Sequence, residues 1–147
     1  MFILLRREFT VELPVKDAWQ HLSRVEEWPS WASHIKQVKV QGGSVLSPNS
    51  TGIIYLSNGI KSVFTMIEFN PYHNWRWVGR FLWLTIHYDH IFEELDSHGA
   101  RLTWVVEGDG LGVSIFGKLF AKIYNKNLDK AIPALVEEMN TSKSGTA

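Results

Sequence analysis

The hydrophobic pattern of this chain changes from strand-like to helical spacing close to residue 110. From Ile35 to Asp109 apolar and polar residues alternate with a period of two, which is typical of strands with one buried face. From Ile115 to Met139 the apolar residues recur at helical spacing and form a single stripe. A long amphipathic helix that follows a series of strands has to cover the apolar face of their sheet. The sequence therefore predicts an α+β fold in which a curved antiparallel sheet wraps around a long C-terminal helix.

The turn signals divide the chain into six or seven strands. The first strand is predicted from Phe2 to Leu13, where Pro14 ends it and can open a short helix. A second short helix is predicted from Pro29 to His34. Short connections between the later strands make neighbours antiparallel. These later strands are predicted at Ile35–Gln41, Gly52–Ser57, Lys61–Asn70, Asn74–Arg80, Leu84–Leu95 and Ala100–Glu107.

Length and composition exclude several classes of protein. The 147 residues match one domain, predicted over residues 1–140, and the small polar residues 141–147 are predicted to form a disordered tail. Fifteen basic and fifteen acidic residues leave no net charge that would favour nucleic acid as a partner. The absence of cysteine excludes disulfides and thiolate metal sites, and we expect a cytoplasmic protein. No apolar run reaches the 18 or so residues of a membrane-spanning helix.

Tryptophan is unusually frequent, with seven residues in the chain. If residues 75–83 stay extended, Trp75, Trp77, Phe81 and Trp83 share one face of a strand. One helix covers a curved sheet unevenly, so these rings are predicted to line a cavity for an apolar small molecule. A fully packed aromatic core is the alternative interpretation.

The strand from Leu84 to Leu95 supplies the polar candidates. Its alternation places Tyr88, His90 and Phe92 on the apolar side, where Tyr88 and His90 could orient a ligand or act as acid–base groups. A core histidine with satisfied hydrogen bonds is the competing interpretation, and the positions of Glu68 and Glu94 stay open. The predicted ligand-binding residues are Trp28, Trp31, Trp75, Trp77, Phe81, Trp83, Tyr88, His90, Phe92, Trp104, Phe116, Phe120 and Tyr124.

No metal site or cofactor is predicted. His87 and His90 lie three residues apart on one strand, so their side chains face opposite ways and cannot share an ion. The glycines between residues 108 and 112 lack the spacing of a phosphate-binding or dinucleotide-binding loop.

The order of several motifs resembles the START-like superfamily, also called SRPBCC, and within it the bacterial polyketide cyclase/dehydrase-like proteins. The resemblance covers about Phe9 to Met139. It is carried by Val11-Glu12-Leu13-Pro14 before a helix, Trp28-Pro29-Ser30-Trp31, Ile67-Glu68-Phe69-Asn70-Pro71 with Trp77, and His90-Ile91-Phe92 followed by Leu102-Thr103-Trp104. The resemblance implies a helix-grip fold around a hydrophobic cavity. Members of this superfamily bind lipids, sterols, quinones or polyketides, and some catalyse cyclisation or dehydration.

Three functions remain open at this point. The first hypothesis is a binder or carrier of a hydrophobic or aromatic small molecule. The second is an aromatase/cyclase-type enzyme in which His90 or Tyr88 performs acid–base work. The third is an interaction protein with a closed core, for example a homodimer. Only two polar residues are predicted on the apolar side of the sheet, which favours binding.

Overall fold

A computed structural model describes residues 1–42, 45–95 and 98–145 of the chain. It contains a seven-stranded antiparallel sheet and a long C-terminal helix, which confirms the predicted α+β helix-grip fold. The elements in chain order are β1 (Phe2–Val11), α1 (Val15–Ser23), a 3₁₀ helix (Val25–Ser30), β2 (Ile35–Val40), β3 (Thr51–Leu56), β4 (Lys61–Asn70), β5 (Asn74–Phe81), β6 (Leu84–Glu94), β7 (Ala100–Asp109) and α2 (Val113–Gly145).

The strand order in the sheet is β1-β7-β6-β5-β4-β3-β2. Each of the strands β2 to β7 pairs with its neighbours in sequence, whereas β1 pairs with β7 at the far edge. The chain therefore has to cross from one edge of the sheet to the other between β1 and β2. It makes this crossing through α1 and the 3₁₀ helix, which bury Trp19, Leu22 and Trp28. We call the face beneath them, which carries Trp75 and Trp77, the inner face, and the opposite face the outer face.

The C-terminal half of α2 is tied to the rest of the protein by polar contacts. Arg7 of β1 forms an ion pair with Asp129, at 2.9 Å between Nη1 and Oδ1. Glu138 lies 2.8 Å from His21 Nε2 through Oε1 and accepts a 2.8 Å hydrogen bond from Ser30 Oγ through Oε2. The apolar stripe packs beneath these contacts and includes the fully buried residues Leu135 and Met139. Among the residues that the structure describes, no helix is both long and apolar enough to cross a membrane.

Two features of the helices differ from the sequence prediction. The second short helix is a 3₁₀ helix at Val25–Ser30 rather than a helix from Pro29 to His34, since Pro29 lies near its end and not in its first turn. Helix α2 extends to Gly145, so residues 141–145 of the predicted disordered tail are helical. Small polar residues weaken a helix but do not stop one that has already formed. Residues 146 and 147 lie outside the described part of the chain.

Candidate functional site

A cavity of about 230 Å³ lies between the first half of α2 and strands β3 to β5. Helix α2 packs most closely against β1 at one edge of the sheet, so its first half leaves the inner face of the distant strands partly uncovered. On that face the alternation of β3 and β4 points Ile54, Leu56 and Phe64 into the cavity. A Cβ atom at Gly52 would overlap the Phe64 ring. Glycine there leaves room for the ring, which lies 4.3 Å from that of Trp77.

One face of α2 forms the opposite wall. Phe120, Ile123, Tyr124 and Asn127 line the cavity at the i, i+3, i+4 and i+7 spacing of a single helix face. The rings of Phe120 and Tyr124 are stacked with centroids 5.4 Å apart. The ring of Tyr88 on β6 lies 5.9 Å from that of Tyr124, so two tyrosines border the same space.

His90 lies in the wall of the cavity within a cage of indole rings. It is paired across the sheet with Trp75 on one side and with Trp104 on the other. Its imidazole is stacked on the Trp75 ring at 4.8 Å and meets the Trp77 ring edge-on at 5.0 Å. The rings of Trp28 and Trp104 both lie 6.0 Å away. The imidazole thus has an almost wholly apolar environment.

This row of rings contains three polar atoms without partners. Within the described residues, His90 Nδ1, Trp75 Nε1 and Trp104 Nε1 are buried and form no hydrogen bond with the protein. A buried polar group left unpaired costs about 1–3 kcal/mol. His90 is the member of this row that borders the cavity.

Burial favours the neutral forms of the histidines and tyrosines that line the cavity. The pKa of His90 is lowered to about 3, chiefly by burial, against a smaller opposing effect of the Trp75 backbone. Burial also lowers the pKa of His34, another lining residue. The pKa of Tyr124 is raised to about 12 by burial, and that of Tyr88 is raised by burial and by the neighbouring Tyr124. At neutral pH, His90 and the two tyrosines therefore present neutral hydrogen-bonding groups to the cavity.

The exposed lining residues mark the mouth of the cavity. They include Ile60, Ile123, Lys61 and Arg80. The Lys61 ammonium lies 5.7 Å above the ring of Tyr55, so it is already engaged outside the cavity. Within the described chain, no carboxylate lines the cavity.

The structure divides the 13 predicted ligand-binding residues into three groups. Seven line the cavity: Trp28, Trp77, Phe81, Tyr88, His90, Phe120 and Tyr124. Four are buried in the core without lining it: Trp31, Trp75, Phe92 and Trp104. The Trp19 ring of α1 covers Trp75 and Phe92, with centroids 5.1 Å from each, which removes these two from the open space. The remaining two, Trp83 and Phe116, are exposed.

Trp83 is exposed because the extended segment ends before it. β5 stops at Phe81, and Leu82 then adopts a left-handed conformation with φ of 57°. This turn carries Trp83 out of the inner face, where its Nε1 donates a 2.8 Å hydrogen bond to the Leu111 carbonyl. Phe116 packs edge-on against the Trp83 ring at 4.8 Å, beyond the end of the sheet. The predicted common face of Trp75 and Trp83 is therefore wrong.

Several residues that line the cavity are not among the 13 predicted ones. Ile54, Leu56 and Phe64 carry a detectable signal, because the alternation of β3 and β4 places them on the face of Trp77. Ile123 and Asn127 follow from the helical spacing of Phe120 and Tyr124. The contribution of His34 has no such signal, since it lies between the 3₁₀ helix and β2.

The remaining candidates lie away from the cavity. Glu94 Oε2 accepts a hydrogen bond from the Val15 amide at 3.0 Å, and Glu68 Oε2 accepts one from Asn74 at 2.6 Å.

Among residues 1–42, 45–95 and 98–145, no three His, Asp or Glu side chains cluster as metal ligands would. A wide groove between Glu12 and the last turns of α2 contains no histidine or aromatic side chain, so we place the candidate site in the enclosed cavity.

Solved structures share this fold at low sequence identity. A hypothetical protein of Helicobacter pylori superimposes with a TM-score of 0.74 at 17% identity, covering 91% of this chain and 86% of that one. A START superfamily protein of Mycobacterium smegmatis gives 0.69 at 15% identity, with 91% and 97% covered. The di-domain ARO/CYC StfQ from the steffimycin biosynthetic pathway gives 0.75 at 12% identity, with 98% of this chain matching about half of that one (52%).

These identities establish a shared fold and nothing finer. None of the curated proteins compared with the sequence matches it. The family described as "Polyketide cyclase / dehydrase and lipid transport" matches residues 3–140. That match spans all seven strands and most of α2. Together with the START-like fold, it shows that this chain belongs to the polyketide cyclase/dehydrase and lipid transport family.

Proposed function

We propose that the protein binds a hydrophobic small molecule, of lipid, quinone or polyketide type, in the cavity between α2 and the sheet. The observation that carries this proposal is the lining of the cavity, where aromatic and aliphatic side chains surround a few neutral polar groups. Sites for small molecules have this composition, because apolar burial supplies affinity and a few polar atoms fix orientation. The chain's lack of cysteine and its family description are compatible with a cytoplasmic carrier.

The volume of the cavity limits the size of the ligand. A cavity of about 150 Å³ accepts benzene, and pockets for drug-sized molecules measure about 300–1,000 Å³. The value of about 230 Å³ therefore favours one or two rings, or a short length of alkyl chain, inside the protein. A longer ligand would extend through the mouth beside Ile60 and Ile123.

The charges around the cavity favour some ligands over others. The charged lining residues are the cations Lys61 and Arg80, and the interior groups His90, Tyr88 and Tyr124 are neutral at pH 7. A neutral or anionic ligand is compatible with these groups, whereas a cation would be desolvated without a carboxylate partner.

A cyclase-type reaction is the second candidate function. The family description and the similarity to StfQ support it, as does the meeting of two tyrosines and a histidine at one cavity. General acid–base catalysis, however, is most effective when the pKa of the catalytic group lies near the working pH. A histidine with a pKa of about 3 is almost never in its acidic imidazolium form at pH 7, so it is a poor general acid. This supports binding over turnover.

The proposal is tested by titrating the protein with ligands that differ in charge. Calorimetry would compare decanoic acid, decylamine and a neutral naphthoquinone. We expect saturable binding of the acid or the quinone and weaker binding of the amine. Substituting Ile54→Phe should fill part of the cavity and weaken binding at least tenfold, about 1.4 kcal/mol.

Ile53→Phe provides the matched control. Ile53 directly precedes Ile54 in β3 and points to the outer face. The same added volume there leaves the cavity unchanged. The proposal fails if no ligand class binds saturably, or if the Ile53 and Ile54 variants lose affinity equally.

A further inference from the structure

Large apolar side chains form an exposed ridge at the start of α2. The ridge consists of Leu82, Trp83, Leu111, Ile115, Leu119 and Ile123, each more than half exposed. The hydrogen bond from Trp83 Nε1 to the Leu111 carbonyl and the packing of Phe116 on Trp83 join the β5–β6 turn to the helix. Ile115, Leu119 and Ile123 continue the ridge along α2 at steps of four residues. Contiguous exposed apolar surface of this kind marks an interaction site.

A row of lysines lies beside this ridge. Lys118, Lys122 and Lys126 follow one another at steps of four residues and are all exposed. The sequence contains no Asp or Glu from residue 110 to residue 128. The carboxylates that flank this stretch in the sequence are Asp109, exposed at the end of β7, and Asp129, which is paired with Arg7. This surface is therefore locally cationic on a chain with no net charge.

The ridge also borders the mouth of the cavity. Ile123 belongs to both, and the cavity residues Phe120 and Tyr124 lie on the adjoining face of the same helix turns. A partner bound to the ridge would therefore lie next to the opening through which a ligand passes.

We propose that this surface docks on an anionic lipid membrane. The apolar side chains of the ridge enter the interfacial layer, and the lysines reach the negatively charged headgroups. Trp83 suits this depth, since an indole ring is favoured at the boundary between hydrocarbon and water. Docking does not require an occupied cavity, so it goes beyond the proposed function and can fail or succeed independently of it.

Charge argues against a second copy of the chain as the occupant. A two-fold dimer formed through the ridge would use the same surface on both copies. The lysine row of each copy would then lie close to the lysine row of the other, because residues 110–128 contain lysines and no Asp or Glu. Contacts between like charges oppose association. A negatively charged lipid surface complements the same row.

Vesicle flotation tests the proposal. We expect the protein to float with vesicles of phosphatidylcholine and phosphatidylserine, to bind phosphatidylcholine alone more weakly, and to dissociate as salt is raised. Each neutralised lysine should weaken binding about fivefold, so Lys118→Gln with Lys122→Gln should weaken it about 25-fold. Leu111→Ser with Leu119→Ser should also weaken it, because both side chains leave the interfacial layer.

Matched variants elsewhere serve as controls. Lys16→Gln with Lys36→Gln removes two exposed lysines of α1 and β2 that belong to neither the ridge nor the lysine row, and Val63→Ser with Ile67→Ser removes two outer-face side chains that are 60% and 52% exposed. Both control variants should leave flotation unchanged.

The proposal is overturned if the wild-type protein does not bind anionic vesicles, or if the controls weaken flotation as much as the ridge variants. It is also overturned if sedimentation equilibrium detects a dimer that Leu111→Ser with Leu119→Ser dissociates. None of the four altered ridge and row residues lines the cavity, so ligand affinity measured on the same variants separates docking from ligand binding.

Discussion

A histidine enclosed by indole rings loses much of its capacity to carry charge. Four uncharged indole rings surround His90, those of Trp28, Trp75, Trp77 and Trp104. Burial therefore disfavours its imidazolium form, and no carboxylate lines the cavity beside it within the described residues. The neutral ring can still donate or accept one hydrogen bond at each nitrogen. At the scale of single residues, His90 is thus suited to orienting a neutral polar group of a ligand.

The lowered pKa of His90 predicts a loss of stability in acid. The unfolded chain binds a proton below about pH 6.5, whereas the folded protein resists it down to about pH 3. Between these values the unfolded state holds more protons, so stability falls as the pH falls. The contribution of His90 amounts to about 2 kcal/mol between pH 7 and pH 5. Urea unfolding at several pH values should show a shallower dependence in His90→Phe, and an unchanged dependence would contradict the apolar environment assigned to this residue.

The same substitution separates binding from catalysis. For a carrier, His90→Phe should keep the fold and weaken only those ligands that hydrogen-bond to the imidazole, by about 0.5–1.5 kcal/mol. For a cyclase, binding should be nearly unchanged and turnover of a linear polyketide analogue should slow about 100-fold or more. Affinity and turnover are measured on one preparation, with the melting temperature as the control for misfolding. We expect the carrier result, and a loss confined to turnover would exclude it.

At the scale of elements, periodicity predicted the sheet well because each strand has one buried face. The alternation in β6 correctly separates the sides of His87 and His90, and the helical stripe correctly identifies α2. The same reasoning failed at Trp83, where a left-handed residue at Leu82 turns the chain before the alternation can continue. The cavity wall was only partly predictable, since α1 covers Trp75 and Phe92 and no local pattern in β5 or β6 reports where a distant helix will lie.

The two halves of α2 differ in what they bury, which predicts unequal responses to the same substitution. Leu135 is fully buried in the core, while Leu119 is 51% exposed. Leu135→Ala should therefore lower the free energy of unfolding by about 2–5 kcal/mol. Leu119→Ala should change it by less than about 0.5 kcal/mol, as surface substitutions usually do. Both variants replace leucine with alanine within one helix, so helix propensity is matched, and equal losses in chemical denaturation would refute this division of the helix.

At the scale of the whole molecule, the protein consists of a packed side and a hollow side. On the packed side, α1 and the second half of α2 cover β1, β7 and one end of the central strands with interlocking aromatic and aliphatic side chains, while the 3₁₀ helix packs against β2. On the hollow side, the first half of α2 faces β3 to β5 across the cavity and carries the exposed ridge on its other surface. Polar contacts through Arg7, His21 and Ser30 fasten α2 only from Asn125 onward within the described residues. The first half of α2 therefore has fewer polar contacts with the rest of the protein than the second half, within the described residues.

This asymmetry predicts unequal hydrogen exchange along one continuous helix. Amides of residues 116–124 should exchange faster than those of residues 131–139, because local opening needs less free energy where fewer apolar groups are buried. A bound ligand would contact Phe120 and Tyr124 and should slow exchange in the first segment while leaving the second unchanged. The Ile54→Phe variant, which fills the cavity, should slow the first segment without ligand, and Ile53→Phe should not. Exchange that is uniform along α2, or protection that appears equally in both segments, would show that the helix moves as one rigid unit and that ligands enter by another route.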